Sequence, residues 1–213
     1  MPETAIGILG GTFDPVHSAH LALARTARAA LALEKVLWIP AGQPRHRDAP
    51  LAPAADRLAM VQLAIAGEPA FEVDAGEVGS ATPSYTVPTL ERLRQRLGPA
   101  RPLVLLLGAD AFLGLPSWHR WRELFGLAHL AVATRPGFTL DPALMSAELA
   151  DAFRRRQDAR LAGPAGSIRA FDLVAGTVSA TATRAMIKAG TDPGDWLPPG
   201  ILDYIRNHHL YGS

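Results

Sequence analysis

Ala5-Ile6-Gly7-Ile8-Leu9-Gly10-Gly11-Thr12-Phe13-Asp14-Pro15-Val16-His17-Ser18-Ala19-His20 begins as an apolar run, passes through paired glycines and enters an alanine- and leucine-rich segment. Ala5–Leu9 predicts a buried first strand, with a tight turn at Gly10-Gly11. Ser18 to about Leu33 has no interior glycine or proline and predicts a helix. The glycines let the backbone approach a ligand closely, and Thr12 and the nearby amides can donate to phosphate oxygens. His17 and His20, three apart where a helix begins, share one face. The first helical turn adds unpaired N–H groups and a positive dipole end. Together these features describe a polyphosphate pocket that needs no lysine. Taken singly, the histidines also read as surface residues, and a zinc site would lack a third ligand nearby.

Outward from this stretch the chain alternates. Val36–Ile39 predicts a strand stopped by Pro40. Residues 44–53 form a polar, proline-punctuated loop, and 41–53 is a candidate lid. Ala54–Ala66 predicts a helix, Phe71–Val73 a strand, and Thr86–Leu97 a helix with Pro88 in its first turn. Leu103–Leu107 is the most apolar strand, followed by Gly108-Ala109-Asp110. Ser117–Phe125 predicts a helix and Leu130–Ala133 a strand. Residues 141–160 predict a helix that ends in the solvated run Arg154-Arg155-Arg156. Ile168–Val174 predicts a strand; Ala182–Lys188 and Ile201–His208 predict helices. This alternation predicts an α/β fold: one Rossmann-like domain over residues 1–213, with a doubly wound, mostly parallel sheet and helices on both faces. Ligands of such sheets sit beyond the carboxyl ends of the strands.

Composition narrows the function. The chain has 213 residues, 48% of them hydrophobic, enough for a sizeable core. Lys and Arg number 21 against 20 Asp and Glu, so bulk charge favours neither a nucleic-acid nor a membrane partner. There is no cysteine, which excludes disulfides, thiolate metal sites and cysteine nucleophiles and suits a reducing cytoplasm. The N-terminus has no basic n-region, so no signal peptide is expected. No segment approaches the ~20 apolar residues of a bilayer span. The lysines are Lys35 and Lys188, neither after a glycine-rich loop, so a Walker-type loop is absent.

The opening string resembles the signature of the HxGH nucleotidyltransferase superfamily, and from Ile6 to Tyr211 the chain resembles the bacterial nicotinate-nucleotide adenylyltransferase family. Pro83-Ser84-Tyr85-Thr86-Val87-Pro88-Thr89-Leu90 is similar to the family's PSYTxxTL segment. Gly108-Ala109-Asp110 with Leu115-Pro116-Ser117-Trp118-His119-Arg120-Trp121 is similar to GAD…LPxWHRW, and Ser179-Ala180-Thr181-Ala182-Thr183-Arg184 to SxTxIR. The ending from Leu197 to Tyr211 also matches. Ala19 replaces the motif glycine, Thr183 replaces an isoleucine, and Arg45-His46-Arg47 stands where the family has PHK.

The resemblance implies transfer of the adenylyl group of ATP to nicotinate mononucleotide, with Mg²⁺ carried by the polyphosphate. His17, His20 and Arg184 would act on the phosphates. Gly10, Gly11, Thr12, Phe13, Gly108, Asp110, Ser179 and Thr181 would bind ATP. Tyr85, Thr86 and Trp118, with His46, Arg47 and Arg135, would bind the acceptor. Other readings stand beside these roles: Ser179, Thr181 and Asp110 as helix caps, Trp118 as a core aromatic, and the loop arginines as solvated surface. Alternatives at the level of function are another HxGH enzyme, such as phosphopantetheine adenylyltransferase, or a non-catalytic nucleotide sensor.

Overall fold

A computed structural model describes residues 3–44, 49–135, 137–174, 176 and 178–213. The elements in chain order are β1 (Ile6–Gly11), α1 (Ser18–Ala30), β2 (Lys35–Pro40), α2 (Ala54–Ile65), β3 (Phe71–Val73), α3 (Thr86–Leu97), β4 (Leu103–Gly108), α4 (Ala109–Leu113), α5 (Leu124–Leu127), β5 (His129–Thr134), α6 (Ala147–Arg156), β6 (Ile168–Asp172), α7 (Ala180–Lys188) and α8 (Ile201–Asn207). The strands form a six-stranded parallel sheet in the order β3-β2-β1-β4-β5-β6, with helices around it, as the alternation predicted. The order reverses between β1 and β4. Register is set by pairs such as Ile8 with Leu105, Leu107 with Val132 and Val132 with Ala170.

Cα proximity divides the residues into two compact units. One comprises Met1–Leu9, Ala24–Val36 and Tyr85–Val174; the other comprises Gly10–Leu23, Leu37–Ser84 and Ala175–Ser213. In the first unit, Leu103–Leu107 of β4 and all of β5 are buried, which explains why they read as continuous rather than alternating apolar runs. Each buried leucine stabilises by about 1.5–3 kcal/mol. Arg94 on α3 gathers carbonyls: Nε donates to Leu127 at 2.7 Å and Nη2 to Pro164 at 2.6 Å. His129 is fully buried and spent. Its Nδ1 accepts the Ser167 N–H at 3.1 Å, so the ring proton sits on Nε2, 3.0 Å from the Gly163 carbonyl.

In the second unit, β2 contributes the fully buried Trp38 and Ile39, and α2 turns a stripe of Arg57, Met60, Val61 and Ile65 inward. Tyr204 on α8 donates to Asp56 on α2 at 2.9 Å.

The expected helix over Ser117–Phe125 is instead two 3-10 turns, Leu115–Ser117 and Trp121–Glu123, followed by α5. Trp118 is extended and Arg120 is left-handed (φ 57°), held there by hydrogen bonds to Glu123 and Glu91. The helix expected over 141–160 splits likewise. Asp141 caps a 3-10 turn by accepting from Ala143 N–H, and Ser146 caps α6 by accepting from Leu149 N–H. α1 ends at Ala30 rather than near Leu33, because Ala32 turns left-handed (φ 50°).

Candidate active site

The end of β1, the loop after it and the first turn of α1 carry the candidate site residues His17 and His20 and the stretch from Gly10 to Phe13. Gly10 and Gly11 are the last residues of β1, and neither is left-handed; the tight turn expected of them is taken by Phe13, at φ 51°. A non-glycine residue in that region carries strain of about 1–3 kcal/mol, offset here by burial of the ring. Phe13 is 2% exposed and lies 5.4 Å from Trp38, which in turn lies 5.7 Å from Phe71. Gly11 makes room for it: a Cβ there would stand 2.9 Å from the Phe13 ring. At Gly10 a Cβ would meet nothing within 4 Å.

The two histidines do share a face. Their rings stack at 3.7 Å, and the edge of Phe13 meets His20 at 5.0 Å. The His17 N–H donates to His20 Nδ1 at 3.2 Å, which places the His20 ring proton on Nε2. The amides at this helix start are less open than the sequence suggested, because the His20 N–H is spent on the His17 carbonyl at 2.9 Å. His17 is buried, and its Nδ1 has no hydrogen-bond partner among the described residues.

Asp14, which the sequence reading left without a role, is the hub of the loop. Its Oδ2 accepts the Leu51 N–H at 2.9 Å, and its Oδ1 accepts the Ala52 N–H at 3.1 Å and the Tyr211 hydroxyl at 2.7 Å. Arg57, also missed, donates to the carbonyls of Thr12 (2.7 Å), Gly42 (3.0 Å) and Ala52 (3.2 Å). Ser84 accepts from the N–H groups of Gly42 and Gln43, so both described ends of the candidate lid are tied down. Gly42 is obligatory, since a Cβ there would collide with the Glu77 carbonyl.

Arg184 comes to this loop: Nη1 donates to the Asp14 backbone carbonyl at 2.7 Å, and Nη2 to Thr181 Oγ1 at 3.4 Å. Ser179 caps α7, accepting from Ala182 N–H at 3.2 Å. Thr183 is fully buried and satisfies its hydroxyl on the Ser179 carbonyl at 2.9 Å, which is how this chain accommodates a polar residue at an apolar position.

The acceptor candidates lie in the other unit, apart from His46 and Arg47, which fall outside the described residues. Tyr85 precedes α3 and its ring stands 4.6 Å from that of His119. Thr86 opens α3. Trp118 is half-buried, not sealed in the core. Gly108 ends β4 and caps α4 in place of Asp110, which is exposed in the first turn; Arg135 is exposed after β5.

Burial strips water from the His17 imidazole and holds its pKa down, at about 4 against an ordinary 6.5, with a backbone hydrogen bond pulling the other way. At neutral pH the ring is therefore uncharged. The unfolded chain takes up this proton near pH 6.5 and the folded chain only near 4. Stability is full above the first value, falls as pH drops through that window and levels off below the second. Between about pH 7 and about pH 5.5 the loss due to His17 is about 1 kcal/mol. His129, whose pKa burial also lowers, adds in the same direction. Urea unfolding of wild type and His17→Gln at both pH values checks this: the variant should lose about 1 kcal/mol less, and equal losses would refute it.

A family model described as cytidylyltransferase-like matches residues 8–184. A Dechloromonas aromatica (strain RCB) protein named "Probable nicotinate-nucleotide adenylyltransferase" is 51% identical over 210 residues, covering 97% of this chain and 97% of its own. A Laribacter hongkongensis (strain HLHK9) protein of the same name is 48% identical over 215 residues, covering 100% of this chain and 97% of its own. Among solved structures, Plasmodium falciparum nicotinic acid mononucleotide adenylyltransferase complexed with NaAD matches with a TM-score of 0.72 at 17% identity, over 98% of both chains. At that identity the likeness concerns the fold.

Proposed function

We propose the reaction from one premise: the chain belongs to the nicotinate-nucleotide adenylyltransferase family, within the cytidylyltransferase-like group. It transfers the adenylyl group of ATP to nicotinate mononucleotide, giving nicotinate adenine dinucleotide and pyrophosphate, a step of NAD biosynthesis. The acceptor's phosphate oxygen attacks the α-phosphorus of ATP. The bond from that phosphorus to the bridging oxygen breaks, and pyrophosphate leaves with the electron pair. The nucleophile is already anionic, so no covalent enzyme intermediate is needed, and positioning and charge stabilisation carry the rate.

The observation that carries this reading is the meeting of His17, His20 and Arg184 at one loop, with Arg184 anchored on the Asp14 carbonyl and the imidazoles stacked. In this reading the His20 Nε2–H and the Arg184 guanidinium donate to the leaving phosphates, and His17 acts as a neutral polar group. Gly10, Gly11, Thr12 and Phe13 shape the phosphate cradle. Gly108, Asp110, Ser179 and Thr181 contact the nucleotide, Ser179 and Gly108 through the helix starts they cap.

Among the described residues no group of three or more His, Asp or Glu is placed to hold a metal ion. Imidazoles, a hydroxyl and a guanidinium suit phosphate oxygens, and a divalent cation, Mg²⁺ in this reading, would be held by those oxygens and water rather than by protein carboxylates. When bound it would supply charge neutralisation to the departing pyrophosphate. Among the described residues no helix is long and apolar enough to cross a membrane. We place the enzyme in the cytoplasm, where ATP and a cysteine-free chain are at home. We also treat residues 1–213 as one nucleotidyltransferase domain, a reading supported by unit boundaries that fall inside β1, α1 and β2.

For the acceptor, Trp118 and Tyr85 offer ring stacking, and Arg135, with His46 and Arg47, offers charge for its phosphate. Tyr85, at the N-cap of α3, makes no side-chain cap bond. The amides of Thr86 and Val87 and the positive helix end therefore suit the nicotinate carboxylate. A charge-assisted hydrogen bond is worth about 1.5–3 kcal/mol, so kcat/KM should favour nicotinate over nicotinamide mononucleotide by roughly ten- to a hundredfold. An acceptor screen with ATP and Mg²⁺, read by pyrophosphate release, tests both the reaction and the preference. Equal kcat/KM for the two acceptors would defeat the carboxylate site, and turnover of phosphopantetheine instead would defeat the reaction.

A further inference from the structure

We propose that Tyr211 is a positioning residue for this reaction: through Asp14 it fixes the carbonyl that aims Arg184 at the nucleotide. The inference rests on the adenylyl-transfer reading above. The Tyr211 hydroxyl donates to Asp14 Oδ1 at 2.7 Å, and the Asp14 backbone carbonyl accepts from Arg184 Nη1 at 2.7 Å. Arg184 Nη1 also lies 3.9 Å from Asp14 Oδ2. One aspartate, 6% exposed, thus joins the loop that carries the histidines, the arginine of α7 and a turn at the far end of the chain.

That turn is shaped to deliver the phenol. The 3-10 turn Leu210–Gly212 contains Tyr211 at φ 61° and follows His209 at φ 51°. Two side-chain-bearing residues in the left-handed region cost about 1–3 kcal/mol each. The ring they bring inward spends its one polar group on Asp14. Burial first, and then the bond to Asp14, push the Tyr211 pKa up, so the hydroxyl remains a donor at any working pH. A guanidinium held from behind presents its remaining N–H fork in one orientation, which phosphate binding requires. Without the hydroxyl, the Asp14 peptide and Arg184 gain freedom, and the loss falls on the transition state more than on acceptor binding.

The test compares wild type, Tyr211→Phe, Arg184→Lys and the double variant. Pyrophosphate release from ATP and nicotinate mononucleotide gives kcat and KM; calorimetry with ATP alone gives its affinity; circular dichroism gives the folded fraction. Tyr211→Phe should lower kcat at least about fivefold while KM for the acceptor stays within about twofold. In the Arg184→Lys background the same change should cost less than about twofold, because its target is gone. A smaller loss in Tyr211→Phe, an equal factor in both backgrounds, or a loss accounted for by unfolded protein would overturn the proposal. If wild type releases no pyrophosphate, the reaction reading fails instead, and ATP affinity across the four proteins decides. A loss confined to the Arg184 background supports the proposal, and any other pattern overturns it.

Discussion

Arg57→Met should lower the thermal unfolding midpoint by about 6–12 °C. Arg57 is 1% exposed, yet each of its guanidinium nitrogens is engaged, Nη1, Nη2 and Nε donating to the carbonyls of Thr12, Gly42 and Ala52 respectively. Those three acceptors belong to the loop between β1 and α1, the start of the candidate lid and its end. Methionine keeps much of the aliphatic volume and removes every donor. Two effects then compete. Removing a buried charge relieves desolvation, the leading cause of the lowered Arg57 pKa. Against that, three carbonyls lose their partner at about 1 kcal/mol each, more where water cannot reach. The carbonyls remain in place when the charge is gone, so the second effect wins, at about 3 kcal/mol, and for a chain of this length each kcal/mol moves the midpoint by about 2–4 °C. Arg57→Lys should recover about a third of the loss, since one ammonium on a straight stem cannot fork to three acceptors. Calorimetry on the two variants checks this; a midpoint for Arg57→Met within about 2 °C of wild type would mean that the three bonds contribute nothing net.

Arg57 also shows what a sequence can reveal. It stands three and four residues before Met60 and Val61 on α2, within the buried stripe of that helix. An arginine at a core position of an amphipathic helix signals that something buried needs its donors, and that signal is local and readable. The sheet was legible for a similar reason: β4 and β5, covered on both faces, read as unbroken apolar runs. The shared face of the histidine pair was legible because it depends only on spacing within one turn. By contrast, the Tyr211 contact with Asp14 spans 197 residues, and no periodicity links them. The break at Trp118 and Arg120 was invisible because Glu91, on another helix, helps set the left-handed backbone. The tight turn expected at Gly10-Gly11 was misplaced for the opposite reason. Flexible glycines drew attention to themselves, while the left-handed residue is Phe13, whose ring is buried beside Trp38.

His20→Ala should lower kcat by about a hundredfold or more with ATP and nicotinate mononucleotide, with pyrophosphate release as the readout. Two losses accompany the change. The first is structural: the His17 N–H loses its acceptor at Nδ1, worth about 1 kcal/mol. The second is chemical: in the proposed role the Nε2–H stabilises the charge that grows as pyrophosphate departs, and losing one such preorganised donor costs about 2.7–4 kcal/mol in the barrier. Asparagine separates them. Its Oδ1 can accept the His17 N–H much as Nδ1 does, as helix-capping residues do, but it has no group at the reach of Nε2. His20→Asn should therefore regain the stability lost in His20→Ala and remain as slow. If His20→Asn recovers turnover, His20 works as a cap and the charge-stabilising role falls. If either variant loses less than about tenfold, roughly 1.4 kcal/mol, the leaving phosphates draw their stabilisation from elsewhere, and Arg184, anchored on the same loop, becomes the residue to test next.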